Sequence, residues 1–293
     1  MFRVGIIGTE NSHAMAFTRF FNLPQADTGE VPFPDIRIVG VYGKDPATAQ
    51  QIIDEVDNTL FLAEKESDFI GKVDAMMITN RKGSEHAAAA RPFIELGMPV
   101  FIDKPFTSDY AEAVELAEMA KRTGSKILAG SSVKLAPDVV TMQRIVTNLR
   151  ASGEFLSASF NYPADFESIY DGFFFYSPHL VEMALAVLGE GIESVQAFKA
   201  ENDVLVVAKY SDAYTSWHFT KGAQQYSVVV YGAKRNYLRE VDLSLIYELE
   251  CTKFASMLKY GTMPQTYEQI TLPVRVIECI IESLDTGKPV TIR

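Results

Sequence analysis

The sequence predicts an α/β protein in two parts. A doubly wound parallel sheet is expected over residues 1–131, and an α+β domain with an open, mostly antiparallel sheet over residues 132–293. Three observations carry this. Short apolar runs alternate with helical patterns through the first part, as successive βαβ units do. One of those runs, Val100-Phe101-Ile102, is continuously apolar, as a strand covered on both faces must be, and it stops abruptly at Asp103-Lys104-Pro105. Beyond Ala136-Pro137 the pattern changes to strand-like segments joined by short turns.

The elements follow in order. Arg3–Ile7 is the first strand. The turn Gly8-Thr9-Glu10-Asn11-Ser12-His13 leads into a helix over 12–22, with Ser12 as its cap. A strand, a tight turn and a helix in this order suggest the first unit of a dinucleotide-binding fold, whose fingerprint is G-x-G-x-x-G. Gly8 fills the first position, Glu10 stands at the second and His13 at the third. This is a weak match with a physical consequence: the second glycine normally lets backbone approach a pyrophosphate, and a glutamate there adds bulk and charge. Ile36–Tyr42 is the second strand, followed by Gly43-Lys44-Asp45-Pro46 and a helix over 47–56. A ribose-binding carboxylate is expected at this strand's end. Gly43 supplies none and Lys44 is next, which favours a 2′-phosphate and hence NADP over NAD; otherwise Lys44 is only a turn residue.

A third strand is expected over 58–61, a short helix over 64–70 and a fourth strand over 73–79. The loop 80–85 precedes a helix over 86–96 that Gly97 ends. After the strand 99–102, Ser108 caps a helix over 109–123, and a strand over 126–130 closes the first domain. The second domain has a helix over 138–150 and strands over 155–162, 192–199, 203–210, 213–220 and 225–231. The last four strands are expected to succeed one another antiparallel. A helix over 178–188 lies between the first strand and the rest, and late helices cover 243–259 and 267–286.

Composition bounds the function. The chain of 293 residues is 47% hydrophobic and 22% charged, which is globular composition. A net charge of −11 argues against nucleic acid or an anionic membrane as partner. It leaves room for an anionic cofactor held by backbone amides and single cations. No apolar run reaches the ~20 residues of a membrane span. The opening Met1–Gly8 reads as a strand rather than a signal peptide. Cys251 and Cys279 offer neither a disulfide framework nor metal-ligand spacing, and both fall in apolar helical patterns as buried thiols, so a cytoplasmic location is expected.

Two residues stand out chemically. Lys104 sits at the carboxyl end of a parallel strand, the edge where open α/β sheets bind ligands, although most lysines are simply solvated. His179 falls in the first turn of a helix marked by Ser177 as cap, Pro178 and a terminal Gly189. The positive end of that helix dipole disfavours imidazolium, so the ring can exchange a proton near neutral pH; otherwise it is a histidine bound to nearby backbone. His13 and His86 would face the sheet's carboxyl edge, and with Glu10 and Asp103 they could approach a metal, but no pair has metal-ligand spacing and no metal is expected. His218, beside Trp217, reads as structural or interfacial.

These features together resemble the glucose–fructose oxidoreductase / inositol dehydrogenase / MocA family (Gfo/Idh/MocA). The resemblance rests on Val4-Gly5-Ile6-Ile7-Gly8, on Val73-Asp74-Ala75-Met76-Met77-Ile78 with His86 downstream, and on Phe101-Ile102-Asp103-Lys104-Pro105. It continues in the segment ending at His179 and in the tail Ile281–Val290, and so spans essentially the whole chain. It implies an N-terminal Rossmann domain binding NADP or NAD, with NADP slightly favoured by Lys44. The implied cofactor site comprises Gly8, Thr9, Glu10, Asn11, His13, Gly43, Lys44, Thr79, Asn80, His86 and Asp103. Lys104 would hydrogen-bond the reacting hydroxyl and His179 would serve as acid or base. Tyr162, Phe175 and Tyr176 would join these two in contacting substrate. The implied reaction is reversible hydride transfer between nicotinamide and a secondary alcohol or ketone of a sugar, cyclitol or related hydroxy compound. The implied assembly is a homodimer or homotetramer through the C-terminal sheet. The chain departs from the family pattern in reading D-K-P for E-K-P. It also carries Phe175 where an aspartate often stands four residues before the histidine. A cofactor-weak, catalytically silent relative acting as a binding or regulatory protein is the alternative.

Overall fold

The computed structural model describes residues 1–292 and divides them into two compact units. One comprises residues 1–107, 111–130 and 247–270; the other comprises 108–110, 131–246 and the chain from Thr271 on.

The first unit is built on six parallel strands in the order β3-β2-β1-β4-β5-β6. They are β1 (Phe2–Ile7), β2 (Ile36–Tyr42), β3 (Phe61–Leu62), β4 (Ala75–Ile78), β5 (Val100–Ile102) and β6 (Ile127–Ala129). The strand order reverses direction at β1, with β2 on one side and β4 on the other, as in a doubly wound sheet whose ligand edge lies at the carboxyl ends. Crossovers are made by α1 (Ser12–Asn22), α2 (Pro46–Glu55), α3 (His86–Glu95) and α4 (Tyr110–Thr123). Most of α7 (Ile246–Tyr260) belongs to this unit and covers the same sheet. Its Cys251, Phe254, Ala255 and Leu258 join Phe17, Phe21 and Phe101 in one apolar core. The ring of Phe101 meets Phe17 edge-on at 5.4 Å and Phe254 at 6.2 Å, so the strand that ends in Asp103 is clamped between two helices. Each such pair adds ~0.5–1.5 kcal/mol beyond its buried area.

The second unit has a seven-stranded sheet in the order β12-β11-β7-β10-β9-β8-β13. Its strands are β7 (Phe155–Pro163), β8 (Ile192–Lys199), β9 (Asp203–Tyr210), β10 (Tyr214–Thr220), β11 (Ser227–Gly232), β12 (Asn236–Glu240) and β13 (Val290–Thr291). Helices α5 (Pro137–Ala151) and α6 (Ser177–Leu188) pack on one face. Trp217, Phe160, Val206 and Val228 point to that face and are fully buried. Nearly every residue of α6 is buried, including His179 and Glu182, so this helix is enclosed rather than amphipathic. Helix α8 (Tyr267–Thr286) ends the fold: Ser283 Oγ accepts from Ala197 N at 2.9 Å and donates to Lys288 O at 2.6 Å, which fixes the turn into β13.

The fold class expected from sequence is the one observed, with local corrections. Asn11, not Ser12, caps α1, its Oδ1 accepting from His13 N at 3.2 Å. Ser108 caps nothing; its hydroxyl donates to Asp171 Oδ2 at 3.3 Å and α4 begins at Tyr110. Ser177 lies inside α6 and makes no capping bond. The third strand is only Phe61–Leu62, and the short helix after it is a 3₁₀ turn, Glu66–Phe69, whose Asp68 carboxylate accepts from Glu64 N and Lys65 N. The four later strands do not simply succeed one another: β7 is inserted between β10 and β11, parallel to β10 and antiparallel to β11. Turn signals reveal sequential hairpins, whereas this insertion pairs residues about sixty apart. β12 is an exposed edge strand without apolar alternation, and nothing in its sequence marked it.

Candidate functional site

In the first unit the loops at the carboxyl edge are tied together through backbone. Gly8 sits at φ +102°, and a Cβ there would lie 2.3 Å from Asn80 N. Only glycine fits, on conformational and steric grounds alike. Thr79 Oγ1 donates to Ile7 O and Gly8 O at 3.1 and 3.0 Å, locking β4 to the turn after β1. Helix α1 has no acid in its first turn, so its N-terminal amides and dipole favour an anion. Asn80 is buried; its amide donates to Glu85 Oε2 at 3.3 Å, and its Oδ1 finds no hydrogen-bond partner among the described residues. An orphaned acceptor beside the first glycine, next to an acid-free helix start, fits a dinucleotide with hydroxyls to donate.

Asp103 is the hub of this edge. Its carboxylate, 1% exposed, accepts from Asn11 Nδ2 at 3.1 Å, from His13 Nδ1 at 2.6 Å and from Lys104 N at 2.7 Å. Burial pushes this carboxyl up, but the His13 ring and the charge and backbone of Lys104 more than cancel that, and its pKa lies well below the usual carboxylate range. Three donors on one ionised group make His13 Nδ1 a donor. The other nitrogen, Nε2, lies 2.8 Å from the hydroxyl of Tyr247 at the start of α7. Lys104, before a cis proline, is 7% exposed. Burial pushes its ammonium pKa down; Asp103 pulls it back up and Arg81 adds to the lowering.

His86 does not present a nitrogen to this edge. It is fully buried, with Nδ1 at 2.6 Å from Pro105 O and Nε2 at 2.8 Å from Asn80 O. It therefore staples the loop after β4 to the loop after β5.

At the end of β2, Gly43 leaves room for Thr9, since a Cβ on Gly43 would meet Thr9 Oγ1 at 2.0 Å. That hydroxyl hydrogen-bonds Thr48 Oγ1 at 2.7 Å. Glu10 swings to the same turn, where Oε1 accepts from Asp45 N at 2.9 Å. Lys44 pairs with Glu85 at 2.7 Å. This hydrogen bond pushes the Lys44 pKa up, and the charges of Glu85, Glu66 and Glu10 reinforce it. Burial pushes the Glu66 carboxyl up; the Lys44 charge opposes this and Glu85 adds to it. Glu66 also lines a cavity of about 360 Å³ with Tyr42, Lys65, Ser67, Pro92 and Phe93.

The second unit gathers its own polar set. Ser131 Oγ shares a hydrogen bond with His179 Nδ1 at 2.7 Å, and Tyr162 stacks on the imidazole with centroids 5.1 Å apart. Glu182, one turn along α6 and 5% exposed, accepts from Ser131 N at 2.7 Å and from Lys134 Nζ at 2.6 Å. Tyr176 lies 5.7 Å from His179, and Phe175 packs between Tyr170 and Tyr176, forming an apolar wall. Sequence reasoning missed Ser131, Lys134 and Glu182, although an acid inside the apolar run Leu180-Val181-Glu182-Met183 was a signal. It also missed Tyr247, which no local pattern marks.

The first domain matches the model of the GFO_IDH_MocA oxidoreductase family, NAD-binding Rossmann fold, over residues 2–131. A comparison with curated proteins gave no match. Among solved structures, GenD2 from gentamicin A biosynthesis in complex with NAD aligns at TM-score 0.83 and 15% identity, covering 100% of this chain and 96% of that one. The scyllo-inositol dehydrogenase of Lactobacillus casei with NAD(H) and scyllo-inositol aligns at 0.82 and 12%, covering 100% and 99%. The myo-inositol dehydrogenase of the same organism with NAD(H) and myo-inositol aligns at 0.79 and 14%, covering 100% and 97%. At these identities the structural likeness speaks for the fold. The family match and the glycine-bound turn after β1 agree: residues 2–131 are similar to the NAD-binding Rossmann domain of the Gfo/Idh/MocA oxidoreductase family.

Proposed function

We propose that the protein is an NAD-dependent oxidoreductase interconverting a secondary alcohol and a ketone in a cyclitol, a sugar or a related hydroxy compound. The observation that carries this is the buried Asp103-Lys104 pair at the sheet's carboxyl edge, hydrogen-bonded to Asn11 and His13 of the turn that Gly8 forms. The dinucleotide, when bound, accepts or returns the hydride. The residues that would hold it are Gly8, the amide end of α1, Thr79 and Asn80. The Lys104 ammonium donates to the reacting oxygen and stabilises the charge that develops there. In the second unit, His179, with its ring fixed by Ser131 and Tyr162, is the imidazole proposed to meet the substrate, and Phe175 and Tyr176 supply apolar surface for a ring face. The inositols bound by two of the structural neighbours support polyhydroxylated rings as the substrate class.

The charges favour NAD over NADP. Lys44, the cation expected to hold a 2′-phosphate, is committed to Glu85, and Glu10 and Glu66 stand nearby. A further phosphate would meet three carboxylates and one shared ammonium, whereas the Glu10 carboxylate at the β2 turn suits the hydroxyls of an unmodified ribose. The open face of the second sheet supports a homodimer or homotetramer, and two free, buried cysteines support a cytoplasmic location. No helix among the described residues is long and apolar enough to cross a membrane.

Titrating NADH and NADPH while following energy transfer from protein fluorescence to nicotinamide tests the cofactor. NADH is expected to bind at least tenfold tighter, and absence of binding by either at millimolar concentration overturns the oxidoreductase reading in favour of a binding or regulatory role. Lys104→Ala is expected to retain NADH binding and to lose ~100-fold or more in kcat.

A further inference from the structure

One short turn in the second unit is built against the imidazole of His179. Ser131 opens the turn Ser132–Leu135, where its Oγ accepts from Val133 N at 3.2 Å. The same Oγ lies 2.7 Å from His179 Nδ1. Glu182, one turn along α6 from His179, grips this segment at both ends: Oε1 accepts from Ser131 N at 2.7 Å and Oε2 from Lys134 Nζ at 2.6 Å. Ser131 is fully buried, so backbone on one side and a paired carboxylate on the other give its hydroxyl one fixed place. Tyr162 stacks on the imidazole at 5.1 Å and packs in turn against Tyr226 at 4.7 Å, which holds the plane of the ring. Phe175 packs between Tyr170 and Tyr176 and offers the ring no carboxylate. A hydroxyl oxygen has two lone pairs; Val133 N–H takes one, and the other is available to Nδ1–H. Which nitrogen of a neutral imidazole carries the proton is set by the partner of that nitrogen.

We propose that Ser131 is a positioning residue for the acid–base chemistry of His179: its Oγ accepts from Nδ1–H, which fixes that tautomer and leaves on Nε2 the lone pair that exchanges a proton with substrate. The inference rests on the oxidoreductase reading and deepens it by naming what orients the base. One hydrogen bond serves both protonation states. The neutral imidazole donates Nδ1–H to Ser131, and so does the imidazolium, so no partner rearranges when Nε2 gains or loses a proton. In the oxidising direction the carbinol C–H bond breaks and hydride passes to the oxidised nicotinamide dinucleotide, which is the oxidant. The substrate O–H bond breaks and its proton passes to His179 Nε2. The carbonyl product leaves uncharged, and the imidazolium later gives its Nε2 proton to solvent. Reduction runs the same path backwards. Glu182 acts one step further back. Its charge is matched by Lys134, so what it does for the ring is to hold the serine in place. The hydroxyl reaches the imidazole from a different element than α6 itself, and it orients the ring without pairing a charge with it.

The test compares the full-length wild type with Ser131→Ala, which removes the acceptor, and Ser131→Thr, which keeps it. 15N NMR of the protein with labelled histidine reads the tautomer, the His179 signals being those that vanish in His179→Gln. The wild type is expected to show the Nδ1–H tautomer, Ser131→Ala a mixture of the two, and Ser131→Thr the wild-type pattern. With NAD and myo-inositol or scyllo-inositol, Ser131→Ala is expected to lose ~10–100-fold in kcat with KM and NADH affinity within about threefold of wild type, and Ser131→Thr to recover most of that loss. A serine with a merely structural role would shift the urea midpoint and leave the tautomer alone. An Nε2–H tautomer in the wild type, or an unchanged tautomer in Ser131→Ala, overturns the proposal while NADH binding still upholds the oxidoreductase. Failure of the wild type to bind NADH overturns the underlying reading instead. Where Ser131→Ala does not fold, or neither inositol is turned over, the wild-type tautomer decides.

Discussion

A carboxylate as enclosed as that of Asp103 carries a desolvation cost that its donors must offset, and Asn11, His13 and the Lys104 amide do so together. Asp103→Asn keeps the shape and reverses part of the hydrogen bonding, because an amide nitrogen cannot accept from any of the three. His13 would then be free to take the other tautomer, and Lys104 would lose the neighbouring charge that pulls its pKa back up. We expect this variant to lose ~100-fold or more in kcat, and to lose roughly 1–3 kcal/mol of stability in urea unfolding for the buried donors left unpaired. Wild-type kcat and an unshifted midpoint together would show that Asp103 organises nothing. Lys104 could be singled out from sequence because a strand, an acid, a lysine and a proline stood in line. Its partners could not, because His13 and Asp103 are ninety positions apart and His13 and Tyr247 more than two hundred. A local pattern identifies the residue that ends a strand, but not the ring folded against it.

Element by element, the turn around Asp57 shows how the first unit fixes its outer strands. The Asp57 carboxylate accepts from Asn22 Nδ2 at the end of α1, from Arg37 on β2, and from Thr59 through both N–H and hydroxyl. Asn22 also exchanges two hydrogen bonds with the backbone of Ile38, so one cluster ties α1, β2 and the turn after α2. Burial pushes this carboxyl up, but the Thr59, Arg37 and Asn22 hydrogen bonds outweigh it and bring the pKa down to about 2. A carboxyl whose folded pKa is depressed contributes stability above its unfolded value, ~3.9, and loses it as pH falls through the folded value. Asp57→Asn is therefore expected to cost about 2 kcal/mol at pH 7, with the difference from wild type shrinking between pH 4 and pH 2. Urea midpoints at several pH values check this, and a gap independent of pH would assign the loss to packing instead. The same cluster shows what the sequence could announce: Ile36–Tyr42 was legible as β2 from its apolar run, but the cap of α1 was misplaced by one residue. Asn11 and Ser12 are both good caps, and only the bond from His13 N decides between them.

For the molecule as a whole, the open face of the second sheet is the surface on which the proposed homodimer or homotetramer would form. Pairing puts Leu238, Val229, Ser159, Ser216, Val207 and Gln196 in one row across six strands. The next row carries Asn161, His218, Leu205 and Phe198, with Phe198 50% exposed. Serine hydroxyls bond each other at the centre, Ser216 to Ser159 at 2.9 Å, which leaves that part of the face flat, while aliphatic and aromatic side chains lie to either side. A flat face with branched side chains standing on it suits a second copy of itself, since an isologous contact needs only self-complementarity. The sequence leaves open whether the valines of β9 and β11 cover a core or a partner, because period-two patterning cannot tell a face that packs on a helix from one that packs on a partner. A net charge of −11 works against self-association, so the proposed contact would have to be apolar enough to overcome repulsion at low salt. The double variant Leu205→Lys/Val207→Lys places two cations where neighbouring copies would meet. Sedimentation is expected to show the wild type as a dimer or tetramer and the variant as a monomer with an unchanged circular dichroism spectrum. A wild-type monomer, or a variant that still assembles, would refute the contact. Because the substituted side chains stand on the face away from α5 and α6, their loss leaves the enclosed helix that carries His179 intact, and NADH binding measured on the same samples is expected to be retained in the monomer.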